Sequence, residues 1–556
     1  MLEGCVPWPD ATAVRYRQLG YWEDITIAEM LSRTVRRHPD KVALVCGERR
    51  IDYQTLERTA LLLACQLLHA GIRPLDRVVV QLPNSPEFVY TYLALVRIGA
   101  IPVMALRAHR QTEIRHFVRA SGATAYVIPD VVGRFDYRPM ARAVQAEHPH
   151  LRSVLVVGAP GPGQLSLTQM LDSPLEAGTV AARLADVRPD PAEVTTMLLS
   201  GGTTSLSKLI PRTHNDYVLN ARLCGAAAGF DLDTVFMAIL PLGHNYNLAS
   251  PGMLGTFFYG GTVVIAPSGD AEEVFGLVAR EHVSVIAAVV PLISNWLSSA
   301  APGRFDLSSL KVIQNGGARL APELRSRLRA RFDCIPQEIY GTAEGLINMT
   351  RLDDPDELLL HSSGVPVCAD DEIAVVDDDG NEVADGVSGE LITRGPYTIR
   401  GYYNAPETNA AAFTANGFYR MGDIVRKLGR HVFTEGRKKD LINRGGEKIS
   451  CEEVENLIFG HPKVKAVTLV AMPDPVFGEK ACAFVIPREG ETLTFDELIA
   501  FLKLQSIASF KLPERLELVT EFPLSPVGKI LKRQLREAIA EKLTAENATT
   551  PGEPSV

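Results

Sequence analysis

The 556-residue chain has no C-x-x-C pair, and its cysteines (Cys5, Cys46, Cys65, Cys224, Cys334, Cys368, Cys451 and Cys482) are scattered. That spacing suggests neither a zinc site nor a disulfide framework. A surplus of positive charge is also missing: 57 Lys and Arg against 66 Asp and Glu leave a net charge of -9. Without a basic field for a phosphate backbone, nucleic acid is excluded as the main partner. The opening MLEGCVPWPDATAVRYRQ lacks a basic region followed by an apolar run, so no secretory signal is visible and a cytoplasmic protein is expected. The stretch from Thr234 to Gly269 has no Asp, Glu, Lys or Arg, but Pro241, Gly243, His244, Asn245, Asn247 and Pro251 interrupt it. A buried strand, a loop and a core helix are expected there, and no membrane span, because lipid tolerates no unsatisfied backbone. The phosphate-binding spacing G-x-x-x-x-G-K-[ST] occurs nowhere. There is no internal repeat.

What is present is ordinary globular composition, 46% hydrophobic and 22% charged. The length allows about three or four folding units of roughly 150 residues, or a large one with a smaller one. In the first part strand-like runs (Arg77–Leu82, Ala125–Ile128, Val154–Val157, Thr262–Ala266, Val283–Val290) alternate with helical patterns such as Ser85–Ile98 and Glu272–His282. Such alternation predicts an α/β fold with parallel sheet covered on both faces. After about Gly364 the pattern becomes β-rich, with strands at Glu372–Val376 and Glu390–Gly395. The charged segment Glu435–Asp440 is predicted to be a linker, followed by an α+β unit of about 110 residues. The expected division is 1–437 for a large N-terminal domain with a small β-barrel-like unit, 438–545 for a small C-terminal domain, and 546–556 for a disordered tail.

Chemistry is concentrated in a few segments. Leu198–Lys208 runs from apolar residues into glycines and hydroxyls and ends on a cation, a composition suited to cradling phosphate with backbone N–H groups. Tyr340-Gly341-Thr342-Ala343-Glu344-Gly345 sets an aromatic ring, a hydroxyl and a carboxylate in what reads as one short loop after a strand. These could stack a base, bond a phosphate and ligate Mg²⁺. Further on come Tyr419-Arg420-Met421-Gly422-Asp423, Glu435–Asp440 and Pro526-Val527-Gly528-Lys529.

In this order the segments resemble the signature blocks of the acyl-adenylate-forming superfamily, which includes acyl-CoA synthetases, nonribosomal-peptide adenylation domains and firefly luciferase. The likeness covers about residues 5 to 540. Gly243-His244-Asn245-Tyr246, Pro211–Tyr217, Thr350–Asp354 and Ile442–Lys448 narrow it to the stand-alone aryl-acid AMP ligases. The resemblance implies that Ser200, Gly201, Gly202, Thr203, Thr204 and Lys208 wrap the ATP phosphates, and that Gly316, Gly317, Ala318 and Tyr340 line the adenine. Gly341 and Thr342 would adjoin the α-phosphate, Glu344 would hold Mg²⁺, and Asp423 with Arg437 would hold the ribose. Lys529 would bridge the substrate carboxylate and the α-phosphate. Lys439 would be the hinge about which a mobile C-terminal domain turns.

The implied substrate is an aryl acid of the salicylate or 2,3-dihydroxybenzoate type. His244 would stand beside its carboxylate, Asn245 on its ortho hydroxyl and Tyr246 on its ring, with Gly317, Ser250 and Ile347 completing the pocket. The implied partner is an aryl carrier protein with a phosphopantetheine arm, in siderophore or aryl-capped peptide biosynthesis, and the enzyme would be a monomer or homodimer. An aryl-CoA ligase and a non-catalytic aryl-binding relative are the alternatives. Ser205, Ser207 and Met421 depart from the family pattern, which usually has Gly, Pro and Thr or Ser there; none of the changes removes a charge.

Overall fold

The computed structural model describes residues 1–173, 175–200, 207–445, 447–505, 507–525 and 528–549. Short runs of Val, Ile and Leu ended by Gly or Pro build two large sheets. In the seven-stranded sheet, Arg77–Val80 lies between the parallel strands Ile101–Met104 and Ala125–Pro129, and Leu209–Thr213 closes one edge antiparallel to Val194–Leu199. The nine-stranded sheet has a parallel centre made by Thr262–Ile265, Val235–Ala238, Val285–Ala288 and Val312–Gly316, with antiparallel pairs at both ends. The helix Pro86–Arg97 is buried along nearly its whole length. It belongs to one core cluster that takes in residues of both large sheets, and a helix apolar all round is what such a central layer requires.

The charge-free stretch folds as expected, into strand Val235–Ala238, two short helices and strand Thr262–Ile265. Among the described residues no helix is long and apolar enough to cross a membrane. The elements that carry the site are α1 (His214–Ala227) and α2 (Asn245–Ala249), then the hairpin of β1 (Ile335–Thr342) and β2 (Gly345–Met349) at one end of the nine-stranded sheet. Next come β3 (Tyr419–Leu428) and β4 (His431–Arg437), which complete a four-stranded antiparallel sheet with Glu372–Val376 and Gly389–Arg394. A one-turn 3-10 helix, Lys438–Asp440, leads into the smaller α+β unit. That unit has a five-stranded sheet, with helix α3 (Cys451–Phe459) and the terminal α4 (Lys532–Thr549) packed on its strand Val464–Asp474.

Three local expectations are corrected. The eight-residue apolar run Val283–Val290 is strand only over Val285–Ala288, because Pro291 favours the first turn of a new helix, Val290–Ser298. Tyr340 and Thr342 do not sit in a loop but on β1, whose register pairs Tyr340 with Asn348. The tail expected from residue 546 is helical as far as Thr549, four residues into that range, and the forked contact of Arg515 with Glu546 ties this turn to the sheet.

Candidate active site

The β1–β2 hairpin is tight because Gly341 has no side chain: a Cβ there would lie 2.2 Å from the Leu346 carbonyl oxygen and 2.8 Å from Ile347 Cδ1. The hairpin presents Tyr340 to β3, where its hydroxyl donates to Asp423 Oδ2 at 2.8 Å. Arg437 of β4, in register with Asp423, donates from Nε to Oδ1 at 2.7 Å. Burial and the Asp423 charge push the Tyr340 phenol well above its ordinary range, so it remains a donor. Each Asp423 oxygen keeps a further lone pair for an incoming hydroxyl. Met421 buries its side chain in the core and offers the site only its carbonyl, which accepts from Arg437 at 3.4 Å.

The turn that follows Thr342 is fixed by Arg212, which is fully buried. Its guanidinium binds Asp216 Oδ1 at 2.7 Å, the Ala343 carbonyl at 2.9 Å and the Tyr397 carbonyl at 3.1 Å. Glu344, 7% exposed, accepts from the Tyr402 hydroxyl at 2.8 Å, and Lys208 Nζ lies 4.9 Å from the centre of the same Tyr402 ring. Thr342 Oγ1 donates to the Gly345 carbonyl at 2.9 Å. The base of the phosphate segment is clamped, Ser200 N to Lys208 O at 3.0 Å and Lys208 N to Ser200 Oγ at 2.9 Å. Gly201, Gly202, Thr203, Thr204 and Ser205 lie outside the described residues. The Ser207 carbonyl is 2.8 Å from His116 Nε2.

His244 caps α2: its Nδ1 accepts from Tyr246 N at 3.3 Å, which leaves the proton on Nε2. Burial first, and the nearby Lys529 ammonium second, hold this imidazole down at about 4, so it is neutral at ordinary pH. The Tyr246 ring lies on Gly316, where a Cβ would come within 2.8 Å of Cε1. The strand end that carries Gly316 and Gly317 thus adjoins the helix that carries Asn245. Asn315 Nδ2 holds the following turn through the Ala318 carbonyl at 2.7 Å. Asn245 accepts from the Tyr217 hydroxyl at 2.9 Å and donates to Ser250 Oγ at 3.1 Å.

Lys529 reaches this place from the smaller unit. It closes a turn in which Ser525 N donates to the Lys529 carbonyl at 2.7 Å and Gly528 N to the Ser525 carbonyl at 2.9 Å. Gly528 has φ +78°, and a Cβ on it would sit 3.4 Å from Val289 Cγ2 of the large unit, so the turn rests against that unit. The backbone of Lys439 lies in the Lys438–Asp440 turn between the two units. The fold therefore rests the Lys529 turn on Val289, close enough for its charge to act on His244, and brings Asp423 to Tyr340. Sequence reasoning missed Tyr402, Arg212, Tyr217 and Asn220. Arg212 and Tyr217 lie in the Pro211–Tyr217 segment that carries the resemblance, and the Arg212–Asp216 pair at i and i+4 was a readable signal; Tyr402 and Asn220 carry none.

The residues 31–403 match the family model described as AMP-binding enzyme, and 453–529 match its C-terminal domain. Over 98% of its length the chain is 46% identical to a 2,3-dihydroxybenzoate-AMP ligase of Bacillus subtilis strain 168, of which it covers 99%. It is 45% identical, over 98% of its length and 99% of the relative, to a salicylyl-CoA synthase / salicylate adenylyltransferase of a Streptomyces species. Among solved structures, apo MbtA of Mycobacterium smegmatis is 38% identical, with a TM-score of 0.74 over 96% of this chain and 98% of that one. The chain belongs to the AMP-binding enzyme family, the acyl-adenylate-forming enzymes. Within that family its relatives of high identity are aryl-acid AMP ligases.

Proposed function

We propose that this protein activates an aryl carboxylic acid, of the salicylate or 2,3-dihydroxybenzoate type, with ATP and passes the aryl group to the phosphopantetheine thiol of an aryl carrier protein in siderophore or aryl-capped peptide assembly. The observation that carries this reading is that the turn ending at Lys529 rests against Val289 of the large unit, with its ammonium near enough to act on His244, the cap of the helix that begins at Asn245. One cation, one neutral imidazole N–H and one amide then stand where a carboxylate with an ortho oxygen could be gripped.

In the first step a carboxylate oxygen attacks the α-phosphorus of ATP and pyrophosphate leaves, giving an aryl-AMP anhydride. Lys529 and the His244 Nε2–H supply positive charge and a donor where negative charge grows on the oxygens in transit. Asp423, held by Tyr340 and Arg437, orients the ribose, and Lys208 faces the polyphosphate. In the second step the thiol sulfur attacks the aryl carbonyl, its proton is lost, and AMP leaves. Among the described residues no three His, Cys, Asp or Glu converge on one point. A single carboxylate, Glu344, suits Mg²⁺, which keeps waters and takes phosphate oxygens. Glu344 would hold that ion, which neutralises phosphate charge, and Tyr402 fixes the carboxylate.

ATP–pyrophosphate exchange across substituted benzoates tests the first step: exchange stimulated by salicylate or 2,3-dihydroxybenzoate is expected, and none with any aryl acid would overturn the reading. The Streptomyces relative carries a CoA synthase name, so the thiol is tested separately by offering coenzyme A and an aryl carrier protein in parallel. Carrier loading is expected to be the faster.

A further inference from the structure

The start of β2 is held in a conformation it would not keep alone. Leu346 is fully buried and has φ +47°, in the left-handed region that residues other than glycine rarely adopt. Such a backbone persists only where its surroundings fix it. Much of that fixing comes from one segment, Tyr397 to Ile399. A Cβ on Gly345 would lie 2.4 Å from Thr398 Cα, so the two backbones touch. Ile399 N donates to the Glu344 carbonyl at 2.8 Å, and Arg212 ties the Ala343 and Tyr397 carbonyls together.

On the other side of Leu346 the hold is a single hydroxyl. The Ile347 carbonyl accepts from Val367 N at 2.9 Å, but the ladder between β2 and the strand Val365–Pro366 pairs only Asn348 with Pro366 and Met349 with Val365. Ile347 N donates instead to the Tyr397 hydroxyl, at 3.2 Å. That oxygen is free to accept because its own proton is given to Asp371 Oδ2, at 2.5 Å, and the same carboxylate oxygen is steadied by Cys368 N at 3.3 Å. Tyr397 and Asp371 are both buried, and burial pushes the Tyr397 phenol well above its ordinary range, so the proton stays on it. Without this hydroxyl a buried N–H would be left unpaired at Ile347, next to the left-handed Leu346.

We propose that Tyr397 is a positioning residue for the substrate: its hydroxyl, oriented by Asp371, holds the Ile347 N–H and so sets where the Ile347 side chain stands against the aryl ring. This rests on the aryl-acid reading above, in which Ile347 walls the pocket. β2 also packs on α1, which carries Tyr217, the partner of Asn245. The ribose group of Tyr340, Asp423 and Arg437 is held by its own hydrogen bonds. Loss of the Tyr397 hydroxyl is therefore felt by the acid and not by the nucleotide.

The test is ATP–pyrophosphate exchange in Tyr397→Phe, with the KM of the aryl acid and the KM of ATP read separately, using whichever of salicylate and 2,3-dihydroxybenzoate the wild type prefers. The aryl-acid KM is expected to rise about tenfold, since a small displacement of a binding group is felt strongly, while the KM of ATP stays within about twofold. A merely structural role would lower the folded fraction, and with it kcat, and leave both KM values unmoved. Should Tyr397→Phe fail to fold, Asp371→Ala, which takes away the acceptor that orients the hydroxyl, should raise the aryl-acid KM by about threefold or more. An unchanged aryl-acid KM in the folded variant, or an equal rise in both KM values, would overturn the role of Tyr397 and leave aryl-acid activation standing. Wild-type exchange with no aryl acid would overturn both.

Discussion

Lys529 and Asn245 hold the site from two sides, and each has a substitution whose effect follows from its chemistry. Removing a preorganised charge donor typically costs about 10²–10³ in rate, so Lys529→Ala should lower ATP–pyrophosphate exchange by that factor or more. The thermal midpoint should stay put, because Lys529 sits on a turn at the edge of its unit. Exchange within tenfold of wild type would refute the assignment. Asn245 is buried; its oxygen accepts from Tyr217 and one amide N–H goes to Ser250, so its second N–H is the donor left to meet the ortho oxygen of the substrate. Benzoate, which lacks that oxygen, should lose about 1–3 kcal/mol of transition-state binding relative to salicylate. Asn245→Leu should erase the difference, as read from kcat/KM for the two acids. Both residues are legible in the sequence because each lies in a short local motif, Gly528-Lys529 and Gly243-His244-Asn245-Tyr246. Tyr402 and Asn220 are not, since they are tied to the site only through hydrogen bonds to Glu344, 58 residues away, and Ser250, 30 residues away.

At the scale of elements, the strands of the parallel sheets were readable because burial on both faces makes them continuous apolar runs. Val154–Val157, for instance, falls within strand Ser153–Val157. Periodicity could not show where such a run changes from strand to helix, as at Val290, nor that the Tyr340 segment is a paired strand, because β1 owes its length to β2. The Lys438–Asp440 turn is the element with a mechanical consequence. If the smaller unit turns away after adenylation, Lys529 leaves and the carbonyl opens to the thiol, and the chain must pivot within this turn. Proline at Lys439 fixes φ there and removes one N–H. Lys439→Pro should therefore keep ATP–pyrophosphate exchange within about threefold of wild type while loading of the carrier thiol fails. Equal loss of both half-reactions would show that the turn is not the pivot.

For the whole molecule, the posture seen here joins the two units through Arg319 and Glu452 of α3, 3.2 Å apart, with the Thr434 hydroxyl at 3.4 Å from the same carboxylate. Arg319 also holds the His361 carbonyl at 2.8 Å, so it is anchored on the large unit. The charged groups around Glu452 are Arg319, Arg325, Glu455 and Lys532; Arg325 is paired with Glu338 at 3.1 Å, and Lys532 is itself held by Glu455 at 2.6 Å. Burial pushes the Glu452 carboxyl from its ordinary 4.5 up to about 7, Arg319 only partly opposing this. A carboxyl whose docked value lies above its free value binds a proton more tightly when docked. Its contribution to docking is therefore complete below about 4.5 and is lost as the pH rises through about 7. Raising the pH from 6 to 8 should release the smaller unit from this posture, readable as a fall in energy transfer between one dye on each unit. Glu452→Gln, which keeps the shape and cannot ionise, should flatten that profile and hold the docked posture at pH 8. The same change should favour adenylation over thiol transfer, since the docked posture is the one in which the Lys529 turn rests on Val289 and its charge acts on His244. Matching profiles in wild type and Glu452→Gln would mean that some other group controls the docking.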